Sequence, residues 1–209
     1  TANQISTTVA RSKRKVFLQT ATAYAYSSNK SLVVPVRVLM DSGSQRSYVT
    51  ESLREKLGLP SERTEVLNLN TFGDDKFQKQ RCDLVRLQLQ GQSKDIEIMA
   101  LCFPKICSPI SMKLDVGRYP HLAGLVPADE SLLDRSPTNI DVLIGADYCF
   151  EIILGEIRRG DKGPVAVQSE FGWLISGSDQ VNGAESNETI TNLMLESGQA
   201  LTQKVKMMN

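Results

Sequence analysis

Asp41 is the residue of this chain best placed to do chemistry. It directly follows the apolar run ending in Val38-Leu39-Met40 and precedes the small residues Ser42, Gly43 and Ser44. That pattern sets a carboxylate on a tight turn at the edge of a sheet, where an unpaired charge is costly and where proton transfer to or from a bound group becomes possible. An Asp-Ser-Gly tripeptide alone is also ordinary turn chemistry. A second element much later in the chain favours the chemical reading: Val142-Leu143-Ile144-Gly145 is an apolar strand ending in glycine. The cysteines Cys82, Cys102, Cys107 and Cys149 contain no Cys-x-x-Cys pair, and His121 is the only histidine. A zinc site needs three or four well-placed ligands, so no metal and no cofactor are expected, and the thiols read as buried. Trp173, the only tryptophan, reads as a strand residue of the core or of a subunit sheet.

The elements that must position Asp41 are mainly strands. Val16 to Tyr26 and Leu32 to Met40 read as two strands joined by the turn Ser27-Ser28-Asn29-Lys30, the second delivering the chain to Asp41. Thr50 is a good N-cap, Leu53 and Leu57 share one helical face, Gly58 suits the C′ position and Pro60 blocks continuation, which predicts a short helix. Val66 to Phe72 and Phe77 to Leu89 flank Gly73-Asp74-Asp75-Lys76 as a long hairpin, followed by a strand from Ile96 to Phe103. From Pro104 to Thr138 five prolines interrupt any period, and the segment reads as an irregular insertion with one or two helical turns. Order returns with the strand Ile140 to Gly145, a helical turn over Asp147 to Ile152, and a hairpin joining Leu154–Ile157 to Val165–Ser176.

Several of these blocks, in this order, resemble the retropepsins, the aspartic peptidases of retroviruses and LTR retrotransposons. The similarity is closest to the peptidase domain of Bel/Pao-type retrotransposon polyproteins. It is carried by Asp41-Ser42-Gly43-Ser44-Gln45-Arg46-Ser47-Tyr48-Val49, Ile106-Cys107-Ser108-Pro109, Ile140-Asp141-Val142-Leu143-Ile144-Gly145-Ala146-Asp147-Tyr148, Gly163-Pro164-Val165-Ala166 and Phe171-Gly172-Trp173-Leu174-Ile175-Ser176-Gly177. The resemblance implies an all-β, retropepsin-like closed barrel with a short helix after the late glycine. It also implies one catalytic Asp per subunit. Two carboxylates about 3 Å apart share one proton, and peptide hydrolysis needs both an acceptor and a donor. The chain has no second Asp-Thr/Ser-Gly, so a homodimer with two copies of Asp41 at its axis is the expected arrangement. By the same resemblance Ser42 holds the two loops together, Gly43 allows close backbone approach, and Phe72, Gly73 and Asp74 form a flap over an extended peptide or polyprotein substrate. Val142, Leu143, Ile144 and Gly145 support the loop. An ion pair between Arg46 and Asp147 is expected to brace it, with the alternative that Asp147 caps a helix and Arg46 is solvated.

The charge balance, Lys+Arg 24 against Asp+Glu 24, gives no pull toward nucleic acid or a membrane. No apolar run approaches the ~20 residues of a membrane span, and residues 1–5 lack the apolar core of a secretory signal. The expected location is cytoplasmic, including retroelement particles. Residues 1–14 and 179–209 read as polar linkers, with the peptidase domain over 15–178 and its insertion at about 104–138. Two rival readings are a catalytically inactive retropepsin-like module for dimerisation or peptide binding, and an unrelated all-β binding domain in which Asp41 is a turn residue.

Overall fold

A computed structural model describes residues 16–69, 78–134 and 138–179. The chain runs through β1 (Val16–Phe17), β2 (Thr20–Tyr26), β3 (Val33–Met40), β4 (Ser47–Thr50), α1 (Glu51–Leu57), β5 (Ser61–Leu69), β6 (Gln78–Leu89) and β7 (Ile96–Phe103). Two 3-10 turns, Val116–Arg118 and Pro120–Leu122, and α2 (Ser131–Asp134) lie in the Pro-rich segment. Then come β8 (Val142–Ile144), α3 (Cys149–Ile152), β9 (Ile153–Arg158), β10 (Val165–Ser169) and β11 (Gly172–Ser178). The class is the mostly-β one expected. Among the described residues no helix is long and apolar enough to cross a membrane.

Seven strands form one sheet in the order β2-β3-β8-β4-β7-β6-β5, and β2 also pairs with β6 through Ala25↔Leu89 and Tyr26↔Gln88, so the order returns on itself. β8 is parallel to β3 (Val38↔Val142, Met40↔Ile144) and antiparallel to β4 (Tyr48↔Leu143, Val49↔Val142). The two strands joined by the Asp41 loop are therefore held apart by a third that arrives from far along the chain. A second sheet has the order β1-β11-β10-β9.

From Val36 to Met40 of β3 and throughout β8 there is no alternation because both faces are covered, whereas Val33 and Pro35 at the start of β3 are exposed. Val36, Val38, Val142 and Ile144 enter one core with Val49, Val85, Leu87, Ile98 and Leu174. Leu39 and Leu143 point the other way, into a second core with Phe17, Ile110, Met112, Leu122 and Ile175. The 104–138 insertion supplies much of this second core, and its irregular backbone is tied down by long-range bonds. Thr22 N–H donates to Ala128 O (2.8 Å), and Ala128 N–H to Trp173 O (2.8 Å).

Arg37 lies on the Leu39 face of β3 and is only 4% exposed. Its Nε (2.9 Å) and Nη2 (2.8 Å) both meet Asp129 Oδ2, and Nη1 donates to the carbonyls of Ile110 (2.7 Å) and Thr138 (2.9 Å). Asp129 Oδ1 accepts from the N–H and hydroxyl of Ser131. A buried guanidinium is tolerated when such a set of acceptors replaces water, and here it fastens the insertion to the strand that carries Asp41.

α1 follows its expected signals. Thr50 Oγ1 accepts from Leu53 N–H (3.4 Å), Gly58 sits at φ 62° with its N–H on the Arg54 and Glu55 carbonyls, and Leu53 and Leu57 are buried. Other boundaries differ. β5 begins at Ser61, ahead of the expected Val66, because it is an edge strand whose exposed Glu62 and Arg63 carry no hydrophobic period. The expected first strand is split into β1 and β2, which join different sheets. The tip of the β5–β6 hairpin, with Phe72, Gly73 and Asp74, lies outside the described residues.

Glu170 is 2% exposed. Its carboxylate accepts from Ser93 Oγ (2.6 Å) and Ser93 N–H (3.0 Å), joining the β6–β7 turn to the β10–β11 turn. These bonds hold its carboxyl below the usual carboxylate range. A depressed folded-state pKa gives stability that is fully present above the unfolded value, about 4.3, and lost as pH falls through the folded value.

Two outcomes follow from these buried charges. Asp129→Ala strands the Arg37 guanidinium, and urea unfolding is expected to show a loss of about 3–5 kcal/mol; a loss below about 1 kcal/mol, the range of a solvent-exposed pair, would contradict the role given to it. Glu170→Gln is expected to flatten the acid limb of stability against pH below about pH 4.3, measured by urea unfolding across a pH series. Parallel curves for variant and parent would rule out the Glu170 contribution.

Candidate active site

Asp41 sits at the end of β3, half-buried, with Ser42 and Gly43 exposed beside it. Its N–H donates to Ile144 O (2.9 Å), which carries the β3–β8 pairing one residue beyond the strand. Its carboxylate Oδ1 accepts from Gly43 N–H (3.0 Å), and its carbonyl accepts from Ser44 N–H (3.1 Å). The turn is thus closed on itself by the side chain, a common use of Asp at this position. A Cβ on Gly43 would lie 3.2 Å from that Oδ1, so glycine is the residue that leaves the carboxylate undisturbed.

The loop then crosses over Gly145. A Cβ there would come within 2.5 Å of Arg46 O and 2.8 Å of Ser44 O, closer than real carbon atoms approach carbonyl oxygens. The missing side chain lets two backbones touch, and the contact is sealed by Ala146 N–H donating to Ser44 O (2.7 Å). Ser44 is buried and its hydroxyl donates to Arg46 O (2.8 Å). Past Gly145 the chain turns into α3, with Tyr148 and Cys149 N–H groups both on the Gly145 carbonyl. Burial pushes the Cys149 thiol up, with a smaller push from the Asp41 carboxylate, so α3 begins within electrostatic reach of Asp41.

Ile144 and Gly145 thus meet the loop backbone, while Val142 and Leu143 pair with β3 and β4 on either side of β8. The expected Arg46–Asp147 ion pair does not form. Arg46 Nη1 lies 3.1 Å from Glu65 Oε2 on β5, and Glu65 is shared with Arg63 (2.7 Å). Bonds from Arg63 and then Arg46 hold the Glu65 carboxyl low. Asp147 instead accepts from Ser47 N–H (3.0 Å) and Ser47 Oγ (2.7 Å). Ser47, the first residue of β4, is buried against Asp147, while Arg46, in the bend before the strand, reaches the edge strand β5.

Three contributors escape a reading of the sequence alone: Ser47, Glu65 and the Arg37–Asp129 pair. Only Arg37 leaves a trace, as a charge inside a Val-rich run. The four cysteines are buried thiols, and among the described residues no group of three His, Cys, Asp or Glu is placed to hold a metal ion. His121 lies on the insertion with Nε2 2.8 Å from Pro164 O. Trp173 is a β11 strand residue, with the Arg158 guanidinium 4.9 Å from its ring centre.

Gly145→Ala tests the crossing. Its methyl group has no room unless the Ser44–Arg46 backbone moves, and a destabilisation of about 1–3 kcal/mol is expected from urea unfolding. Stability equal to the parent would show that the two segments do not lie this close.

The geometry can be set beside known proteins. No curated protein and no solved structure matches the chain. Residues 25–189 match the family described as "Putative peptidase (DUF1758)". That span holds the Asp41 loop, β8, Gly145, Ser47 and Asp147, and it makes this chain a member of that family of peptidase-like domains.

Proposed function

We propose that the chain is one subunit of a retropepsin-type aspartic endopeptidase, with its domain over residues 15–178, that works as a homodimer on an extended peptide. The observation that carries this reading is the braced Asp41 loop: a half-buried carboxylate beside exposed Ser42 and Gly43, fixed from below by β8 and Gly145. Backbone this constrained behind a half-buried carboxylate suits a reacting group that must meet a partner without rearranging. The return of the sheet order through β2 and β6 supports a retropepsin-like barrel, and membership of a peptidase family supports the reaction class.

The need for a second copy comes from the chemistry. In the proposed step one Asp41 carboxylate takes a proton from a water molecule as the water oxygen bonds to the scissile carbonyl carbon. The protonated Asp41 of the other subunit gives its proton to the carbonyl oxygen. On breakdown of the tetrahedral species the first Asp41, now protonated, gives its proton to the leaving amine as the C–N bond breaks, and the other Asp41 carboxylate takes a hydroxyl proton as the carbonyl re-forms, which restores the singly protonated dyad. The dyad needs no metal or cofactor. Exposed apolar side chains that could meet a second subunit follow Gly145 in the chain. Phe150 of α3 is 71% exposed, and Leu154 (45%) and Ile157 (42%) follow on β9, which among the described residues is an edge strand paired with β10 alone. Apolar residues on an unpaired strand edge are suited to association with another chain.

The substrate that fits the resemblance is a retroelement polyprotein of Bel/Pao type, cut by the flap-covered dimer in the cytoplasm or within particles. No nucleic acid or membrane enters this reading. Asp41→Asn keeps the shape of the turn and removes the proton acceptor. It is expected to reduce cleavage of a longer precursor by at least ~10⁴-fold with unchanged circular dichroism; a variant that still cuts would overturn the aspartic mechanism.

A further inference from the structure

Beneath the Asp41 loop the start of β4 meets the 144–147 segment, and one side chain joins the two. Ser47 is fully buried, 0% exposed, at the first position of β4. Its hydroxyl accepts from Gly145 N–H (3.0 Å) and donates to Asp147 Oδ1 (2.7 Å), while its own N–H donates to Asp147 Oδ2 (3.0 Å). The hydroxyl has one proton to give, and it is used on a charged acceptor, which makes the stronger kind of hydrogen bond. Asp147 is otherwise an exposed residue, so its charge remains solvated while it orients that hydroxyl.

The consequence reaches Asp41 through the backbone. Gly145, fixed by Ser47, directly follows Ile144, whose carbonyl holds the Asp41 N–H (2.9 Å). On the other side, Ala146 N–H holds Ser44 O (2.7 Å). The loop from Asp41 to Arg46 is thus pinned at both ends to the 144–147 segment. Among these contacts Ser47 supplies a side chain from the loop's own strand to the strap beneath it. Without its hydroxyl, Gly145 N–H loses its acceptor and Asp147 loses one of its two donors, leaving the crossing held by the backbone contacts and the single bond from Ser47 N–H to Asp147.

We propose that Ser47 is a positioning residue for the Asp41 dyad, its hydroxyl clamping Gly145 against Asp147 and so setting where the Asp41 carboxyl stands relative to its twofold mate. The inference rests on the proposed aspartic mechanism. It assigns Asp147 its role through Ser47, where a charge pairing with Arg46 was expected.

The test compares kcat and KM for the parent, Ser47→Ala, Asp147→Asn and the double variant on one precursor-derived peptide, per active site titrated with a statine-type mimic. Misplacing a reacting group by a fraction of an ångström to an ångström reduces the rate by roughly 10- to 100-fold. Each single variant is expected to lower kcat by that order with KM within about twofold. The double variant should be no worse than Ser47→Ala, because both act on one contact. A clamp that only stabilises the fold would lower the fraction of titratable sites and leave kcat per site unchanged, which overturns the proposal. Should Ser47→Ala prove too unstable to assay, Asp147→Asn keeps the shape and decides alone by the same criterion. Full kcat in the Ser47 and Asp147 variants, with Asp41→Asn inactive, would sink only this inference. An active Asp41→Asn would sink the mechanism on which it rests.

Discussion

The backbone contact between the Asp41 loop and Gly145 is the constraint on which the site depends. Two segments far apart in the sequence meet with no room for a β-carbon between them, and β8 is held there by pairing with strands on both sides. Because β8 separates β3 from β4, the loop joining those strands must pass over its end. The carboxylate at the start of the loop inherits its position from that crossing.

The surrounding packing explains why the crossing holds. β8 and the Val36–Met40 part of β3 are buried on both faces, one by the interior of the main sheet and the other by the 104–138 insertion together with the second sheet. An insertion of this kind looks dispensable in sequence, yet it covers Leu39 and Leu143 and brings Asp129 to Arg37. A charge in the middle of a supporting strand would be unfavourable in an apolar core. With a carboxylate and two carbonyls around it, the same charge fixes the angle at which the insertion docks. The exposed ion pairs of β5 and β6 do not have this leverage, since solvent can replace either partner.

How much of this was legible in the amino-acid sequence follows from which interactions are local. The strand entering Asp41 and the β8 run announce themselves because burial on both faces removes polar alternation. The caps of α1 at Thr50 and Gly58 are read from a few adjacent residues. β4 was not legible: Ser47 to Thr50 is short, and its strand character comes from lying between β7 and β8. The first half of β5 hid behind charges proper to an edge. The Arg46–Asp147 pair is what the resemblance implies with the two charges exchanged, but Arg46 meets Glu65 on the edge strand, and the neighbouring serine meets the carboxylate. Arg37 and Asp129 are 92 positions apart, and no spacing rule links such residues before the fold is known.

The central claim is that one polypeptide carries half of a catalytic dyad. Titrating the purified chain with a statine-type transition-state mimic, which binds tightly only to a competent dyad, counts sites per polypeptide directly. The account predicts one mimic bound for every two chains, with the complex sedimenting as a dimer. One mimic per chain on a monomer would contradict it.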